Sequence, residues 1–273
     1  MARRRRSKAC RFEFHRTSPT SEHFHNRLAQ SGCFDRDGFS KQAGPVNEEP
    51  DAHARLNARD RTRSPAEVAT PLIDLLAVEL TRRAEPMFVA LDGRSGSGKS
   101  TVAAVVADRL SVAATARPTV TVIEGDQFYA GGSASSWDQR PAAERANRVI
   151  DWRRQRTLLQ QLRTHGEATW HPFDWNADDW DTDHPSLRPE PIRTVVAPVV
   201  ILEGAYSARP ELHDLLDLRV LLDVPTDVRR RQLLEREGDE YRADWEARWS
   251  AAEDHYFGSV MPVQRFHLVL ASP

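Results

Sequence analysis

Met87-Phe88-Val89-Ala90-Leu91-Asp92-Gly93-Arg94-Ser95-Gly96-Ser97-Gly98-Lys99-Ser100-Thr101 is the stretch of this 273-residue chain whose reading decides the fold. Met87–Leu91 is a continuous apolar run of strand type and Lys99–Leu110 reads as a helix. The pattern G-x-x-x-x-G-K-[ST] therefore stands between a strand and a helix, the context that gives it physical meaning. Its glycines let the backbone curl so that successive N–H groups face inward, and the helix that follows offers its free N–H groups and positive dipole end. Gly93, Arg94, Ser95, Gly96, Ser97, Gly98, Lys99, Ser100 and Thr101 are expected to cradle the phosphates of a nucleotide. Lys99 supplies a compact mobile charge for the β- and γ-phosphates, and the Ser100 hydroxyl is placed for Mg²⁺. Lys99 is also the only lysine in residues 64–273, where every other basic side chain except histidine is arginine. A bulky planar guanidinium is a poor substitute for an ammonium inside such a loop.

Working outward, Ser64-Pro65-Ala66-Glu67 is an N-cap with Pro at the first helical position and Glu three residues on. It predicts a helix over 65–83 with Leu72, Leu75, Leu76 and Leu80 on its buried face. After Met87–Leu91, further apolar runs at Val120–Glu124, Val195–Leu202, Leu218–Val224 and Phe266–Leu270 read as strands. Ala142–Thr164, Thr226–Glu237 and Tyr241–Phe257 read as helices. Near-continuous apolar strands separated by helices predict an α/β fold: a central parallel sheet of about five strands with helices on both faces. Trp170–Pro191, rich in Trp, Asp and Pro, fits neither period, and irregular segments of that length in compact domains are usually functional or disordered.

Composition narrows the classes. Residues 1–63 hold 14 Lys/Arg against 8 Asp/Glu, whereas 64–273 hold 24 against 32. Residues 1–63 show no apolar periodicity and are expected to be a disordered basic tail, leaving 64–273 as one domain. That domain is acidic, which disfavours general binding to nucleic acid; a nucleic-acid-binding protein working through the tail is the reading this leaves. The two cysteines, Cys10 and Cys33, both fall in the tail, so no disulfide framework is expected and a reducing, cytoplasmic setting fits. No apolar run approaches the ~20 residues that span a bilayer.

Two further strand ends carry acids: Val122-Ile123-Glu124-Gly125-Asp126-Gln127-Phe128-Tyr129 and Val199-Val200-Ile201-Leu202-Glu203-Gly204-Ala205-Tyr206. Carboxylates at the carboxyl ends of parallel strands sit over the crevice where ligands bind. With the phosphate loop, these motifs resemble the uridine kinase/phosphoribulokinase group of P-loop kinases, which carry G-x-S-G-S-G-K-S/T, then D-x-F-Y, then an apolar strand ending in E-G. The resemblance covers roughly Phe88 to Leu270. It implies a P-loop kinase domain that uses ATP and Mg²⁺, with Asp126 as the general base at the acceptor hydroxyl and Glu203 at the metal. It further implies a lid over about 226–238 whose arginines, among Arg229, Arg230 and Arg236, close on the nucleotide, and an acceptor region over about 137–191.

Within that region, Trp170-His171-Pro172-Phe173-Asp174-Trp175 stands where uridine kinases carry a Y-D-F element followed by a His. Here Tyr is Phe173, the second Phe is Trp175, and a His precedes rather than follows. Tyr129, His171, Phe173, Asp174 and Trp175 are the acceptor-site candidates, together with Asp126. A nucleoside such as uridine or cytidine is the first expectation for the acceptor, a sugar phosphate or vitamin-type alcohol the second. A nucleotide-dependent regulatory ATPase is the rival from another class. Asp179, Asp181, Asp183 and Glu190 match four positions of a calcium loop, but His184 stands where Gly is required. Trp245 and Trp249, four residues apart on a helix, are expected to pack in the core.

Overall fold

The computed structural model describes residues 63–111, 119–177, 185–238 and 243–271. The segment 1–63, read as a basic tail, lies outside these apart from Arg63.

The first helix, α1 (Pro65–Arg82), starts on a reciprocal cap: the Ser64 hydroxyl accepts from the Glu67 N–H, and the Glu67 carboxylate accepts from the Ser64 N–H. Strand β1 (Met87–Asp92) leads through the glycine-rich loop into α2 (Lys99–Ser111), and β2 is Val120–Glu124. After a 3₁₀ turn at Gly125–Phe128 come α3 (Ala134–Asp138), α4 (Ala142–Arg148) and α5 (Trp152–His165). Strands β3 (Glu167–Trp170) and β4 (Ile192–Val195) form a separate antiparallel pair. The chain continues with β5 (Val199–Glu203), β6 (Leu218–Asp223), α6 (Thr226–Glu237), α7 (Ala243–His255) and β7 (Leu268–Ala271).

The main sheet has the order β2-β5-β1-β6-β7 with every pairing parallel. Its strands read as unbroken apolar runs because both faces are covered. In β1, Phe88 and Ala90 point into one core with Leu158, Leu159 and Leu162 of α5, while Val89 and Leu91 point into another with Leu72 and Leu76 of α1 and Val102 and Val106 of α2. Side-chain direction alternates along a strand, so a strand between two helical layers must be apolar at every position. Leu75 and Leu80, expected on the buried face of α1, are partly buried against the second core.

Four expected elements are divided or shifted. The helix foreseen over Ala142–Thr164 is two: Ile150 leaves it to form a bridge with Tyr129, and the Asp151 carboxylate then caps a new helix by accepting from the N–H groups of Arg153 and Arg154. The strand foreseen over Val195–Leu202 is also two, because Pro198 has no N–H for a ladder; Val195 belongs to β4, and β5 starts after the proline. Toward the C-terminus, Phe266 closes a 3₁₀ turn and the strand begins at Leu268. The helix foreseen over Tyr241–Phe257 is described from Ala243 and passes into a π-helical turn at Tyr256–Val260.

Candidate active site

Parallel pairing brings three strand ends together. Glu203 of β5 stands opposite Leu91 of β1 on one side and Glu124 of β2 on the other. The phosphate loop leaves β1 one residue beyond Leu91, and Asp126 sits exposed two residues beyond Glu124. Gly125 permits the approach: a Cβ there would lie 2.8 Å from the Glu203 carbonyl oxygen.

Ser100 Oγ donates to Glu203 Oε1 at 3.0 Å, and Lys99 Nζ donates to the Arg94 carbonyl at 3.0 Å. The first N–H groups of α2 have no acceptor within the helix, which is the property that makes such a terminus receive an anion. The buried Ser97 hydroxyl also has no hydrogen-bond partner. Burial, and then the charge of Asp126, push the Glu203 carboxyl up to about 7, while Lys99 and the Ser100 hydrogen bond pull the other way. A carboxylate beside a serine hydroxyl is a set of hard oxygen donors that suits Mg²⁺. The loop and these two side chains therefore fit a magnesium-bound nucleotide.

Of the three arginines expected to close on the nucleotide, the structure puts one on the loop. Arg229 is buried, donating from Nη1 to the Ser95 carbonyl at 3.2 Å and from Nε to the Val224 carbonyl at 3.2 Å. Arg230 and Arg236 turn outward to Glu246 and Glu237. Gly96 has φ +75°, and a Cβ on it would lie 2.6 Å from the Arg229 carbonyl oxygen and 2.7 Å from Leu233 Cγ, so α6 rests directly on this glycine. Arg94 points away from the loop, pairing with Asp254 at 2.6 Å and lying over the ring of Phe257.

Three groups outside the sequence expectations hold the loop. Asp92, fully buried, accepts from the N–H groups of Gly93, Tyr206 and Ala208 and from the Tyr256 hydroxyl, all between 2.7 and 3.0 Å. Burial raises its carboxyl to about 6 against those hydrogen bonds. Glu253, 2% exposed, accepts from Ser95 N–H at 2.8 Å and from Ser95 Oγ at 2.6 Å. Asp92 directly precedes the glycine-rich motif and could have been suspected. Glu253 and Tyr256 carry no local signal, since they act more than 150 residues from the loop they hold.

An aromatic cluster gathers around Tyr129, three residues after Asp126. Tyr129 stacks on Trp175 at 5.3 Å, meets Phe173 edge-on at 5.1 Å and borders Trp137, Trp245 and Trp249. Phe173 is 0% exposed, so it backs Tyr129 and Trp175 and has no free face. Trp175 and Trp245 are only partly buried. Trp249 is core, as expected; Trp245 packs at the core's margin. His171 is exposed, its Nδ1 at 2.8 Å from the Arg188 carbonyl, and Asp174 accepts from the Asn176 N–H within its own turn. Both side chains have partners in the loop itself, and the Phe173 N–H between them donates to the Gln127 carbonyl at 2.8 Å, which holds this segment beside the Asp126 turn. Asp179, Asp181 and Asp183 lie outside the described residues. Among the described residues, no group of three or more His, Cys, Asp or Glu forms a metal site, and no helix is long and apolar enough to cross a membrane.

Comparison with known proteins agrees with this architecture. A uridine kinase of Halobacterium salinarum is 29% identical over 188 residues, covering 65% of this chain and 73% of that protein. A uridine kinase of Shewanella is 30% identical over 145 residues, covering 52% of this chain and 64% of that protein. A solved structure described as a possible uridine kinase from Bacillus stearothermophilus has the same fold, with a TM-score of 0.51 at 20% identity, over 73% of this chain and 99% of that one. The model of the phosphoribulokinase/uridine kinase family matches residues 88–248, more than half of the chain, from β1 through α6 and into α7. The chain belongs to the phosphoribulokinase/uridine kinase family.

Proposed function

We propose that this chain is a kinase that moves the γ-phosphoryl group of Mg²⁺-bound ATP to a hydroxyl of a small metabolite, with a nucleoside such as uridine or cytidine as the first-choice acceptor. The observation that carries the reading is the meeting of Asp126, Glu203 and Ser100 at the mouth of the phosphate loop, with Ser100 Oγ 3.0 Å from Glu203. Bound Mg²⁺ neutralises charge on the β- and γ-phosphates. Ser100 and Glu203 would hold it, and the Glu203 carboxyl gives up its proton to do so. Lys99 leaves the Arg94 carbonyl for the phosphates, and Arg229, already on the loop, offsets charge on the transferring group. Asp126 accepts the acceptor hydroxyl's proton. The partly buried rings of Trp175 and Trp245 beside Tyr129 suit an acceptor with a ring.

One observation favours the second acceptor class. A cavity of about 90 Å³ beyond Tyr129 is lined by Ala130, Gly131, Gly132, Trp137, Arg140 and Arg148. Its two arginines share one carboxylate, Glu144, and the excess positive charge suits an acceptor that already carries an anionic group, as a sugar phosphate does.

The test is a coupled assay of ADP release with Mg·ATP against uridine, cytidine, sugar phosphates and small alcohols, with Lys99→Ala as the blank. Acceptor-dependent ADP release that Lys99→Ala abolishes supports the kinase reading and names the acceptor. Release that is the same with and without every acceptor favours the regulatory ATPase.

A further inference from the structure

The amino ends of β6 and β7 carry a second concentration of charge. A cavity of about 360 Å³ opens there, lined chiefly by His213, Arg219, Gln264, Arg265 and His267 around the buried ring of Phe266. Arg219 precedes by three residues Leu222, whose carbonyl lies against Gly93 of the phosphate loop, which sets the cavity roughly 10 Å back along the strand.

No carboxylate lines this cavity. The acids nearest in sequence are held elsewhere: Glu211 by Arg209, Asp214 by Arg156, and Asp217 by Arg83 and Arg163. Among the described residues, neither Arg219 nor Arg265 has an ion-pair partner. The hydrogen bonds of these side chains reach only neutral partners. Arg219 N–H donates to His267 Nδ1 at 3.2 Å, while Arg219 Nη2 stands 2.7 Å from Nε2 of the same ring. A neutral imidazole accepts at only one nitrogen, so the ring cannot serve both donors. Burial, then Arg219 and Arg265, hold His213 below its ordinary range; burial, then Arg219, do the same to His267. Backbone carbonyls take up part of this set, Arg265 O from Arg219 Nε at 3.3 Å and Val260 O from Arg265 Nη1 at 2.9 Å, with His213 Nε2 2.9 Å from Ala208 O, but no acceptor here carries charge, and an anion is what completes such a set.

We propose that this cavity binds the phosphate group of a phosphorylated small molecule, at a site separate from the phosphate loop, with Arg219 and Arg265 as the charged contacts. Two guanidinium groups suit a phosphate better than a single-point anion. The volume exceeds what a bare ion needs and falls in the range of small-molecule sites, about 300–1,000 Å³. Pro210 offers apolar surface to the remainder of the ligand.

The experiment titrates inorganic phosphate into the full chain saturated with Mg·AMPPNP and follows the imidazole ¹H–¹⁵N resonances of His213 and His267, assigned by His→Gln variants. The expected result is a saturable shift of both rings, with affinity lowered at least about tenfold in Arg265→Gln, the loss of one charge-assisted contact. Arg219→Gln should act in the same direction, but Arg219 is half-buried in β6, so the exposed Arg265 decides the matter. No saturable shift in the wild-type chain overturns the proposal, and so does an affinity unchanged by Arg265→Gln. Because the reporters sit in the cavity, the outcome does not depend on how the phosphate loop is occupied.

Discussion

Glu203→Gln should make the ligand-free protein more stable at pH 8 while disabling it. Glu203 is 5% exposed, and burial followed by the charge of Asp126 raises its carboxyl from an ordinary 4.5 to about 7. The folded chain thus holds this proton more tightly than the unfolded chain does. The stabilisation is fully present below about pH 4.5 and is lost as pH rises through about 7, a loss of up to about 3 kcal/mol. Glutamine has no proton to lose, and its side-chain oxygen still accepts from Ser100 Oγ. The variant and the wild type should therefore melt together near pH 4.5. At pH 8 the variant should melt higher by up to about 6–12 °C, at about 2–4 °C per kcal/mol for a domain of this size. Thermal or urea unfolding in EDTA without nucleotide measures this. Since Asp92, also raised by burial, is present in both proteins, its contribution cancels. A variant no more stable than wild type at pH 8 would refute the argument that Glu203 is charged against the preference of its site. Mg²⁺-dependent phosphoryl transfer should be lost in the same variant, because the amide offers the metal no charge.

Asp126→Asn should leave Mg·ATP affinity within about twofold and lower kcat by about 10²–10⁴, the range for a general base; weakened nucleotide binding would make Asp126 a metal or structural residue instead. Gly96→Ala adds a methyl at φ +75° against the Arg229 carbonyl and Leu233, so α6 must lift from the loop; we expect a loss of about 1–2 kcal/mol in stability from the backbone conformation alone, together with a larger fall in transfer rate, read by denaturation and by kcat. Glu253→Ala should weaken Mg·ATP binding about tenfold by freeing Ser95, while Glu253→Gln, which keeps the accepting oxygen, should stay near wild type; equal damage from both substitutions would show that charge and not the hydrogen bond is what matters.

The sequence by itself determined the elements whose cause is local. The phosphate loop is legible because a strand, fixed glycines and a helix start are all consecutive, and α1 because its cap is complete within four residues. The parallel sheet follows from strands that are apolar at every position, and the acids at their ends follow from where those runs stop. Tertiary structure decided what depends on partners distant in the chain. Glu203 reaches Ser100 only because β5 inserts beside β1, a register that no local pattern states. Arg229 is picked from its neighbours because successive helix residues point about 100° apart and only its direction meets the loop. Glu253 and Tyr256 became part of the site because a helix folded from the far end of the chain lies against residues 92–95. The division at Val149–Asp151 belongs to the same class: Ile150 is apolar and helix-compatible, and its bridge to Tyr129 is what takes it out of the helix. Phe173, read as a pocket lining, is interior because Tyr129 and Trp175 close over it, a packing choice among aromatic side chains of similar chemistry that only their three-dimensional arrangement settles.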